Sequence, residues 1–527
     1  MVNSRWTAAI LGSAWQVLAD SSYATQPSYV AHPDRQAAVK EAFQRSWDGY
    51  YQYAFPNDTL RPISRTYQND RNGWGASAVD ALSTALVMGN QDVINKIVEH
   101  IGSINFNATS PDSENVSLFE TTIRYLGGML SAYDFLTGPL QQYAKDQASV
   151  AKILEQAVNL ADVLSVTFDT PSGIPINTLL YSSDGYHVGG DTTNGLATIG
   201  TLVLEWTHLS DLTGNAKYAQ LTQKAEEYLL NVRNPDVGEP YPGLLGTDVN
   251  ITDGTFTDSS GGWNGGTDSF YEYLIKMYVY DQDRFGTYKD RWVTAVDSSI
   301  KYLASHPSSR PDLTFLAAYE GRDQLEFVST HLACFDGGNI ILGGLALDND
   351  EYKQFGLALV NGCHDTYIST VTGIGPEVFN WQDSKLPTNA SNNGGPPSDA
   401  TNFYATAGFW IPSGGADYVL RPEVMESFYY AYRATGDTKY QDWAWEAFLN
   451  INATCAAGVG YSSITDVNAP GGGSFDDFQE SFWFAEVLKY SYLIQADDAE
   501  WQVNAAHDNT WVFNTEAHPL QVKGNPV

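Results

Sequence analysis

The stretch Thr213-Gly214-Asn215-Ala216-Lys217-Tyr218 recurs later in the chain as Thr435-Gly436-Asp437-Thr438-Lys439-Tyr440. Each stretch is a sharp turn between two segments of helical periodicity, which is typical of a helical hairpin. Related turns occur at five more places, namely Gly89-Asn90, Gly138-Pro139, Gly286, Asp348-Asn349 and Asp497-Asp498. Seven hairpins can form an open solenoid or a closed ring. Their irregular spacing and long connections favour a closed ring of helices around a pocket.

The segments beside these turns carry helical signals of their own. Phe119, Ile123 and Leu126 recur at the spacing of one helix face. A Gly-rich loop ends at Thr267-Asp268 and is followed by Phe270-Tyr271-Glu272-Tyr273-Leu274, which indicates a capped helix start. We therefore predict an all-α fold.

The composition limits the classes of protein to consider. The chain has 527 residues, of which 43% are apolar and 17% charged, so it can bury a sizeable core. At ~150 residues per domain this length predicts three to four domains, but one large barrel can also use the whole length. The net charge of −34 argues against binding to nucleic acids and to anionic membrane surfaces, because like charges repel. No apolar run reaches the ~18 residues of a membrane-spanning helix.

The N-terminal region and the glycosylation acceptors both favour secretion. Residues 1–24 resemble a secretory signal segment, with a mostly apolar run from Trp6 to Ala19 and small residues near Ala24. An ordinary N-terminal helix is the alternative. Six Asn-X-Ser/Thr acceptors occur in the chain: Asn57, Asn107, Asn115, Asn250, Asn389 and Asn452. We therefore expect a protein that is secreted or resides in the lumen of the secretory pathway.

The chain contains three cysteines, Cys334, Cys363 and Cys455. Three thiols allow at most one disulfide and leave at least one cysteine unpaired. They are too few to scaffold a chain of this length, so the fold must depend on its apolar core.

Several carboxylates stand beside apolar residues at predicted helix starts. Glu120 and Arg124 are four residues apart and share one helix face, although a surface ion pair would look the same. Pro422-Glu423 begins another predicted helix, where an acid commonly just complements the helix dipole. A buried acid is costly unless it is paired, which makes such residues functional candidates. Glu426 and Glu377 occur in similar helix-start patterns and have the same alternative, whereas Glu205, Glu480 and Glu486 lie in apolar or aromatic surroundings.

Paired carboxylates among aromatic side chains are typical of glycoside hydrolysis. One acid protonates the leaving oxygen, and the other activates water or attacks the anomeric carbon. Aromatic residues make up 13% of the chain, which suits both a large core and a cleft that stacks on sugar faces. A helical scaffold whose acids are merely solvated is the competing interpretation.

Five motifs occur together in a defined order. Through them, residues 35–520 closely resemble the class I α-1,2-mannosidases of glycoside hydrolase family 47, above all the secreted fungal members. The motifs are Glu120-Thr121-Thr122-Ile123-Arg124-Tyr125-Leu126-Gly127-Gly128, Thr267-Asp268-Ser269-Phe270-Tyr271-Glu272-Tyr273-Leu274, His331-Leu332-Ala333-Cys334-Phe335, Leu420-Arg421-Pro422-Glu423 and Asn514-Thr515-Glu516-Ala517-His518-Pro519.

This resemblance implies a fold and an activity. Residues 35–520 would form one catalytic (α/α)7 barrel, plugged by a short C-terminal segment, with residues 521–527 as a tail. The activity would be that of an inverting, exo-acting hydrolase that removes terminal α-1,2-linked mannose from the high-mannose N-glycans of glycoproteins. We expect it to act as a monomer. The alternative is a catalytically silent lectin of the same fold that binds mannose-rich glycans, although this chain retains all the acids.

The resemblance also implies roles for individual residues. Glu120 matches the general acid, acting through a water molecule, and Glu423 matches the general base, with Asp268 as a rival base. Glu377 matches a further acid at the site. Three acids around one sugar would raise one another's pKa, which suits a proton donor. His331 and Arg421 match substrate-binding positions in the cleft. The sugar- and calcium-site lining is matched by Arg124, Glu205, Glu426, Phe482, Glu486 and Glu516.

Three further features follow from the resemblance. A Ca²⁺ ion at the barrel floor would be bound by the hydroxyl and carbonyl oxygens of Thr515, with water and sugar hydroxyls completing an all-oxygen shell that suits a hard cation. Cys334 and Cys363 match the disulfide of the family, which leaves Cys455 free. Gly266 stands where branch-selective relatives of the endoplasmic reticulum carry Arg, so its lack of a side chain implies broad branch specificity.

Overall fold

The structure is a computed structural model, and helices dominate it, as expected of an all-α fold. It describes residues 27–110, 115–182, 185–388 and 390–527. The signal segment predicted at residues 1–24 and the acceptor Asn389 lie outside these ranges.

The helices are numbered in chain order over the described residues. Three π-helical segments interrupt or extend them, at Thr122–Leu126, Ser299–Leu303 and Trp483–Val487. The α-helices are α1 Pro33–Tyr53, α2 Ala76–Met88, α3 Gln91–Ser103, α4 Leu118–Thr121, α5 Gly127–Thr137, α6 Gln147–Leu164, α7 Leu196–Gly200, α8 Val203–Thr213, α9 Lys217–Leu230, α10 Pro235–Gly238, α11 Asp268–Tyr280, α12 Gly286–Ser298, α13 Phe335–Ala346, α14 Asp350–Ile368, α15 Thr401–Ala407, α16 Glu423–Thr435, α17 Lys439–Thr454 and α18 Leu488–Leu493.

The strands are short, and within the described ranges they pair only in antiparallel ribbons of two or three strands. Most of them belong to the long connections between helices. They are β1 Thr59–Arg61, β2 Thr66–Gln68, β3 Asn115–Ser117, β4 Thr178–Ser182, β5 Gly185–Val188, β6 Thr193–Gly195, β7 Asp248–Asn250, β8 Ala304–Ser305, β9 Phe315–Leu316, β10 Ala318–Tyr319, β11 Leu325–Glu326, β12 Val328–Thr330, β13 Val378–Asn380, β14 Ala456–Ala457, β15 Gly460–Tyr461, β16 Trp511–Phe513 and β17 Pro519–Gln521.

In the described part of the chain, seven inner helices form a closed ring. Each contacts the next in the order α2, α5, α8, α11, α13, α16 and α18, and α18 returns to α2. Seven outer helices cover this ring, and each packs mainly on one inner helix: α3, α6, α9, α12, α14, α17 and α1. This arrangement confirms the predicted (α/α)7 barrel.

Inner and outer helices differ in burial because they have different numbers of neighbours. Every residue of α13 and of α18 is buried, since an inner helix is covered by two ring neighbours and one outer helix. The outer helix α3 is amphipathic instead, and its buried residues Val93, Ile94, Ile97 and Ile101 follow one face. A polar side chain on an inner helix therefore needs an internal partner.

Six of the seven predicted turns join an inner helix to the outer helix that follows it. Gly89, Gly214 and Gly436 end inner helices with φ near 70°, a conformation that glycine adopts without steric cost. The seventh break, Asp497-Asp498, instead follows α18 and leads into the C-terminal segment. The outer partner of α18 is α1, so the first helix and the last inner helix close the ring.

All inner helices run in the same direction, because every short turn leads from an inner to an outer helix. Their N-termini, together with the long connections, therefore lie at one end of the barrel, which we call the open end. The short turns lie at the other, closed end.

The hairpin β16–β17 plugs the barrel, as predicted. The backbone N–H of Gln521 donates to Asp134 near the closed end, whereas the side chain of Asn514 donates to the carbonyl oxygen of Ile123 further in. The hairpin therefore enters from the closed end, and its turn, residues 514–518, forms a floor inside the ring. A Cβ at Gly127 would lie 2.5 Å from Nδ2 of Asn514, so glycine there permits this close approach.

Cys334, just before α13, forms a disulfide with Cys363 of the outer helix α14, and their Cα atoms are 6.0 Å apart. The pairing implied by the resemblance is thus confirmed, and Cys455 is free and buried. None of the helices in the described ranges combines the length and apolarity that a bilayer crossing requires.

Candidate active site

A pocket of about 170 Å³ lies at the open end, between the starts of the inner helices. The hairpin turn closes it from below, so the pocket is blind. Seven carboxylates line it: Glu120, Asp268, Glu272, Glu423, Glu426, Glu486 and Glu516. The other lining residues within the described ranges are Arg124, Arg421, Thr515, Ser269, Phe119, Ile123, Leu332, Phe335, Pro422 and Phe482.

Three of these carboxylates come from helix starts in distant parts of the sequence. Asp268 and Glu423 are the first residues of α11 and α16, and Glu120 lies in the first turn of α4. Because the inner helices are parallel and form a ring, their N-termini converge around one axis. The partial positive charge at a helix N-terminus stabilises a carboxylate placed there.

Arg124 connects Glu120 to the floor of the pocket. Its Nε donates to Oε2 of Glu120 at 2.9 Å, and its Nη1 donates to Oε2 of Glu516 at 2.9 Å. Arg124 belongs to the π-helical segment Thr122–Leu126, a type of distortion that is frequent at functional sites. Burial raises the pKa of Glu120, but the charges of Arg124 and Arg71 outweigh burial and hold this pKa below its usual range.

Glu423 is the second carboxylate with a lowered pKa. Nδ1 of His331 lies 2.9 Å from Oε2 of Glu423, and Nε2 of His331 lies 2.7 Å from the hydroxyl oxygen of Tyr367. Burial raises the pKa of Glu423, but the hydrogen bond to His331 and the charges of His331 and Arg421 lower it below its usual range. A carboxylate that stays ionised although buried is suited to accept a proton.

Asp268 has the opposite electrostatic environment. Burial raises the pKa of Asp268 to about 7, and the charges of Glu272 and Glu423 act in the same direction. The prediction that all three acids raise one another's pKa is therefore wrong for Glu120 and Glu423. Cationic side chains adjoin those two carboxylates and reverse the effect of burial.

The turn that carries Thr515 is held from two sides of the ring. Nζ of Lys276, on α11, donates to the carbonyl oxygen of Asn514 at 3.2 Å. Nζ of Lys489, on α18, donates to the carbonyl oxygen of Ala517 at 2.6 Å. Thr515 itself is half-buried and faces the pocket, so its oxygens are available at a fixed position on the floor.

Buried carboxylates surround this floor. Burial raises the pKa of Glu205, Glu426 and Glu516 to about 8, and burial with repulsion from Glu516 raises the pKa of Glu486 well above its usual range. Oε2 of Glu205 has no hydrogen-bond partner among the described residues. Carboxylates in such surroundings favour a cation among them, because it would supply the opposite charge that they lack.

Three of the predicted site residues lie behind the pocket wall. Oε2 of Glu377 accepts a hydrogen bond from Nε of Arg421 at 2.6 Å, so Glu377 orients a residue that does line the pocket. Glu205 lies beneath the hairpin turn, where Oε1 accepts from Nδ2 of Asn514 at 2.8 Å. His331 is buried behind Glu423. The structure brings the other ten together around the pocket: Glu120, Arg124, Asp268, Arg421, Glu423, Glu426, Phe482, Glu486, Thr515 and Glu516.

Several residues of the site were not predicted from the sequence. Asp80, Lys276 and Lys489 are charged positions inside buried inner helices, and Asp80 lies 3.4 Å from Arg124. A charge within an apolar helix was the available signal, because it requires an internal partner. Tyr367 gave no such signal, since a tyrosine on an outer helix usually only packs.

The glycosylation acceptors differ in accessibility. Asn107 and Asn115 are exposed, whereas Asn57, Asn250 and Asn452 are half-buried. The side-chain amide of Asn57 also makes two hydrogen bonds within the protein, one as donor and one as acceptor. The exposed pair is therefore better placed to carry a glycan on the folded protein.

Most of the chain is similar to known proteins. The model of glycosyl hydrolase family 47 matches residues 42–522 of this chain. A mannosyl-oligosaccharide alpha-1,2-mannosidase 1B of Aspergillus phoenicis is 55% identical over 511 residues, which are 97% of this chain and 94% of that protein. A mannosyl-oligosaccharide alpha-1,2-mannosidase of Penicillium citrinum is 57% identical over 488 residues, which are 93% of this chain and 92% of that protein.

A solved structure has the same fold. The alpha-1,2-mannosidase from Trichoderma reesei superposes with a TM-score of 0.90 at 52% sequence identity. The match covers 94% of this chain and all of that one. The likeness therefore extends over the whole ring of helices.

Proposed function

Because this chain belongs to glycosyl hydrolase family 47, we propose that it removes terminal α-1,2-linked mannose from high-mannose N-glycans. It is a glycoside hydrolase of the mannosyl-oligosaccharide α-1,2-mannosidase type. The observation that carries the proposal is a blind pocket lined by Glu120, Asp268 and Glu423 above Thr515. A blind pocket admits only the end of a sugar chain, which supports exo-action.

Glu423 is proposed as the general base. It would take a proton from a water molecule while the water oxygen bonds to the anomeric carbon and the glycosidic C–O bond breaks. Its lowered pKa supports this role, because a base must be ionised before the reaction. His331 orients the carboxylate and is held in turn by Tyr367. Attack by water opposite the leaving group would invert the anomeric configuration.

Glu120 is proposed as the general acid, acting through a water molecule. Arg124 and Arg71 keep its pKa low in the free enzyme, so a proton must reach the leaving oxygen by a relay. Asp268 lies in the same pocket, and with a pKa of about 7 it is largely protonated in mildly acidic solution. We therefore propose that Asp268 supplies this proton and does not act as the base. Glu377, paired with Arg421, would orient substrate-binding groups without reacting itself.

The residues at the floor fit a bound Ca²⁺ ion. No three His, Cys, Asp or Glu side chains in the described ranges are grouped as metal ligands, so the proposed site depends on Thr515. Thr515 would contribute its hydroxyl and carbonyl oxygens, and the surrounding carboxylates would hold coordinated waters and balance the charge. When bound, the ion would coordinate sugar hydroxyls and so help to orient the terminal mannose.

The remaining lining would recognise the sugar and its branches. Arg124, Glu426, Glu486 and Glu516 offer charged hydrogen-bonding groups, and the ring of Phe482 offers an apolar face. Gly266, two residues before Asp268, presents no side chain toward the substrate. We propose that this openness lets the enzyme trim a nine-mannose glycan to five without stopping at eight. A time course of glycan chromatography tests this, and a stable eight-mannose plateau would contradict it.

Position 266 also has a backbone requirement. Gly266 has a φ of 95°, in the left-handed region that disfavours residues with a side chain. An Arg at this position would therefore require a shift of the loop as well as space for its guanidinium. The backbone conformation of this loop therefore supports the proposed broad specificity, beyond the absence of one side chain.

The decisive experiment is hydrolysis of a mannose-α-1,2-mannose disaccharide. Released mannose is separated and quantified, and early NMR spectra identify the anomer that forms first. Binding of the disaccharide without release of mannose would favour a silent lectin, and release of the α-anomer would contradict inversion. We further propose secretion as a glycosylated monomer, which mass spectrometry of the culture medium and sedimentation would test.

A further inference from the structure

A second cavity, larger than the catalytic pocket, lies at the open end. Its volume is about 740 Å³, within the range of roughly 300–1,000 Å³ typical of ligand sites. One wall is formed by Glu320 and residues 323–328, and the other by Asn380, Trp381, Ser391, Asn392, Gly394, Gly395 and Trp410. We call it the rim cleft. Both walls belong to long connections that lead into inner helices, which places the cleft on the same end of the barrel as the pocket.

The β12–β13 ribbon connects the two cavities. At one end of the ribbon the backbone N–H of His331 donates to the carbonyl oxygen of Glu377, immediately behind Glu423. At the other end Val328 pairs with Asn380, and both line the rim cleft. Three residues of strand span ~10 Å, so the cleft begins about that far from the catalytic machinery.

The cleft has a rigid base. Its walls pack on a hydrophobic cluster separate from the main core, which includes Phe315, Phe327, Phe379 and Trp381. Nε1 of Trp381 donates to a buried serine hydroxyl at 2.8 Å, which fixes the indole. The cavity is thus preformed, as ligand sites usually are.

The exposed wall of the cleft offers hydrogen-bonding groups without protein partners. The side chains of Glu320, Gln324 and Glu326 are exposed, and no described residue bonds to them. The described lining contains no Lys, Arg or His, so it would repel anions. Exposed carboxylates and amides suit a neutral ligand rich in hydroxyl groups, whose O–H groups donate to the carboxylates. The two tryptophans of the lining are buried and belong to the base of the cleft.

We propose that the rim cleft binds a second, uncleaved mannose branch of the glycan whose terminal residue occupies the catalytic pocket. This inference rests on the proposed function. A branched glycan that inserts one end into a blind pocket must leave its other branches at the open end, and the rim cleft is a preformed cavity beside the pocket. The cleft would therefore contribute to binding of branched substrates and contribute nothing to a disaccharide.

The test compares two substrates with one variant. Glu320→Ala/Gln324→Ala/Glu326→Ala removes the three unpartnered side chains at exposed positions, where folding is little affected. We expect kcat/KM for the nine-mannose glycan to fall about tenfold, mostly through KM, while kcat/KM for the mannose-α-1,2-mannose disaccharide stays unchanged. A matched control on the outer helices has the same chemistry: Glu41→Ala/Glu99→Ala/Gln147→Ala should leave both values unchanged.

A steric variant provides a second measurement. A Cβ at Gly394, which lines the cleft, would meet no atom within 4 Å, so Gly394→Tyr should fold and narrow the cleft. Gly286→Tyr, equally uncrowded but at the closed end, is its control. Equal effects of the cleft variants on both substrates, or none on the glycan, would overturn the inference. If the native protein cleaves neither substrate, the proposed function is wrong and this inference falls with it.

Discussion

The open and closed ends of the same seven inner helices carry different chemistry. At the open end, Asp268 and Glu423 begin α11 and α16 and face a pocket. At the closed end, Oδ2 of Asp134 lies 2.8 Å from Nε2 of His208, and the hydroxyl of Tyr280 donates to a carboxylate at 2.7 Å. The closed-end groups lie in close polar contact with one another, whereas the open-end carboxylates are crowded and several have raised pKa values.

The difference indicates that the two ends of the barrel serve catalysis and stability separately. Helix N-termini stabilise carboxylates, so parallel helices provide a natural acidic site at the end where they all begin. Residues at the other end are free to satisfy one another and stabilise the ring. Substitutions at the open end should therefore affect turnover, and substitutions at the closed end should affect stability.

The largest effect is expected for Glu423→Gln. Loss of the base should reduce kcat by about 10²–10⁴-fold, while the disaccharide still binds and the melting temperature changes little. Steady-state kinetics on the disaccharide and calorimetry measure both. Turnover near that of the native enzyme would indicate that Asp268 is the base instead. A large loss of stability would contradict the expectation that open-end substitutions affect mainly turnover.

The closed-end counterpart is Asp134→Ala. Removing this carboxylate leaves Nε2 of His208 and the backbone N–H of Gln521 without this partner. At about 1–3 kcal/mol for each buried polar group left unpaired, the free energy of unfolding should fall by about 2–6 kcal/mol. Denaturant titration measures the loss, and kcat of the folded fraction should be unchanged. An Asp134→Ala variant with native stability and reduced kcat would contradict the expectation that closed-end residues serve stability alone.

The disulfide tests whether the open end also depends on covalent support. Cys334 and Cys363 are 29 residues apart in sequence, and a loop of this size stabilises the folded state by about 3–4 kcal/mol on chain-entropy estimates. Cys334→Ser/Cys363→Ser should lower the free energy of unfolding by that amount, as measured by denaturant titration. Cys455→Ser is the control for loss of a thiol alone, and an equal effect of the two variants would contradict the prediction.

Chelation should affect both properties, because the proposed ion lies where the pocket meets the plug. An ion present at a hundredfold excess over its Kd stabilises the folded state by about 2.7 kcal/mol. Removal should therefore abolish hydrolysis and lower the melting temperature, and added Ca²⁺ should restore both. Full activity after exhaustive chelation, with absence of calcium verified by elemental analysis, would remove the metal from the proposal.

The smallest effect concerns pH. His331 lowers the pKa of Glu423, so the acidic limb of the kcat/KM profile should lie below the usual glutamate range. Since the base acts only when ionised, His331→Asn should raise this pKa and move the limb to higher pH, by about one pH unit. A variant whose acidic limb stays in place would show that Glu423 does not set it.

The sequence predicted most of the ring because hairpin turns leave local signals. Gly214, Gly436 and their counterparts end helices through conformations that few other residues adopt. The closing pair α1–α18 left no such signal, since its partners stand at opposite ends of the helical region. The contact between α1 and α18 can be inferred only after the other six hairpins have been arranged in a ring.

The sequence predicted which residues belong to the site, but it did not predict their pKa values. The family motifs identified Glu120 and Glu423, yet the sequence could not show that Arg71 and Tyr367, from an unrelated loop and an outer helix, approach these two acids or their partners. A pKa depends on the balance between burial and neighbouring charge, and that balance is a property of the assembled ring. Glu377 shows the same limit, because only the structure reveals its pairing with Arg421.

The hairpin that plugs the barrel also has a consequence for how the protein folds during synthesis. The hairpin that supplies Thr515 follows all seven inner helices along the chain, and Gln36 bonds Gln495 across 459 residues. Contacts between such remote segments slow folding, although the entropy of closing a long loop grows only logarithmically with its length. During vectorial synthesis the ring therefore has no floor until the hairpin emerges. A nascent chain could already contain six of the seven carboxylates of the pocket, all but Glu516, and still be unable to hold the sugar that they act upon.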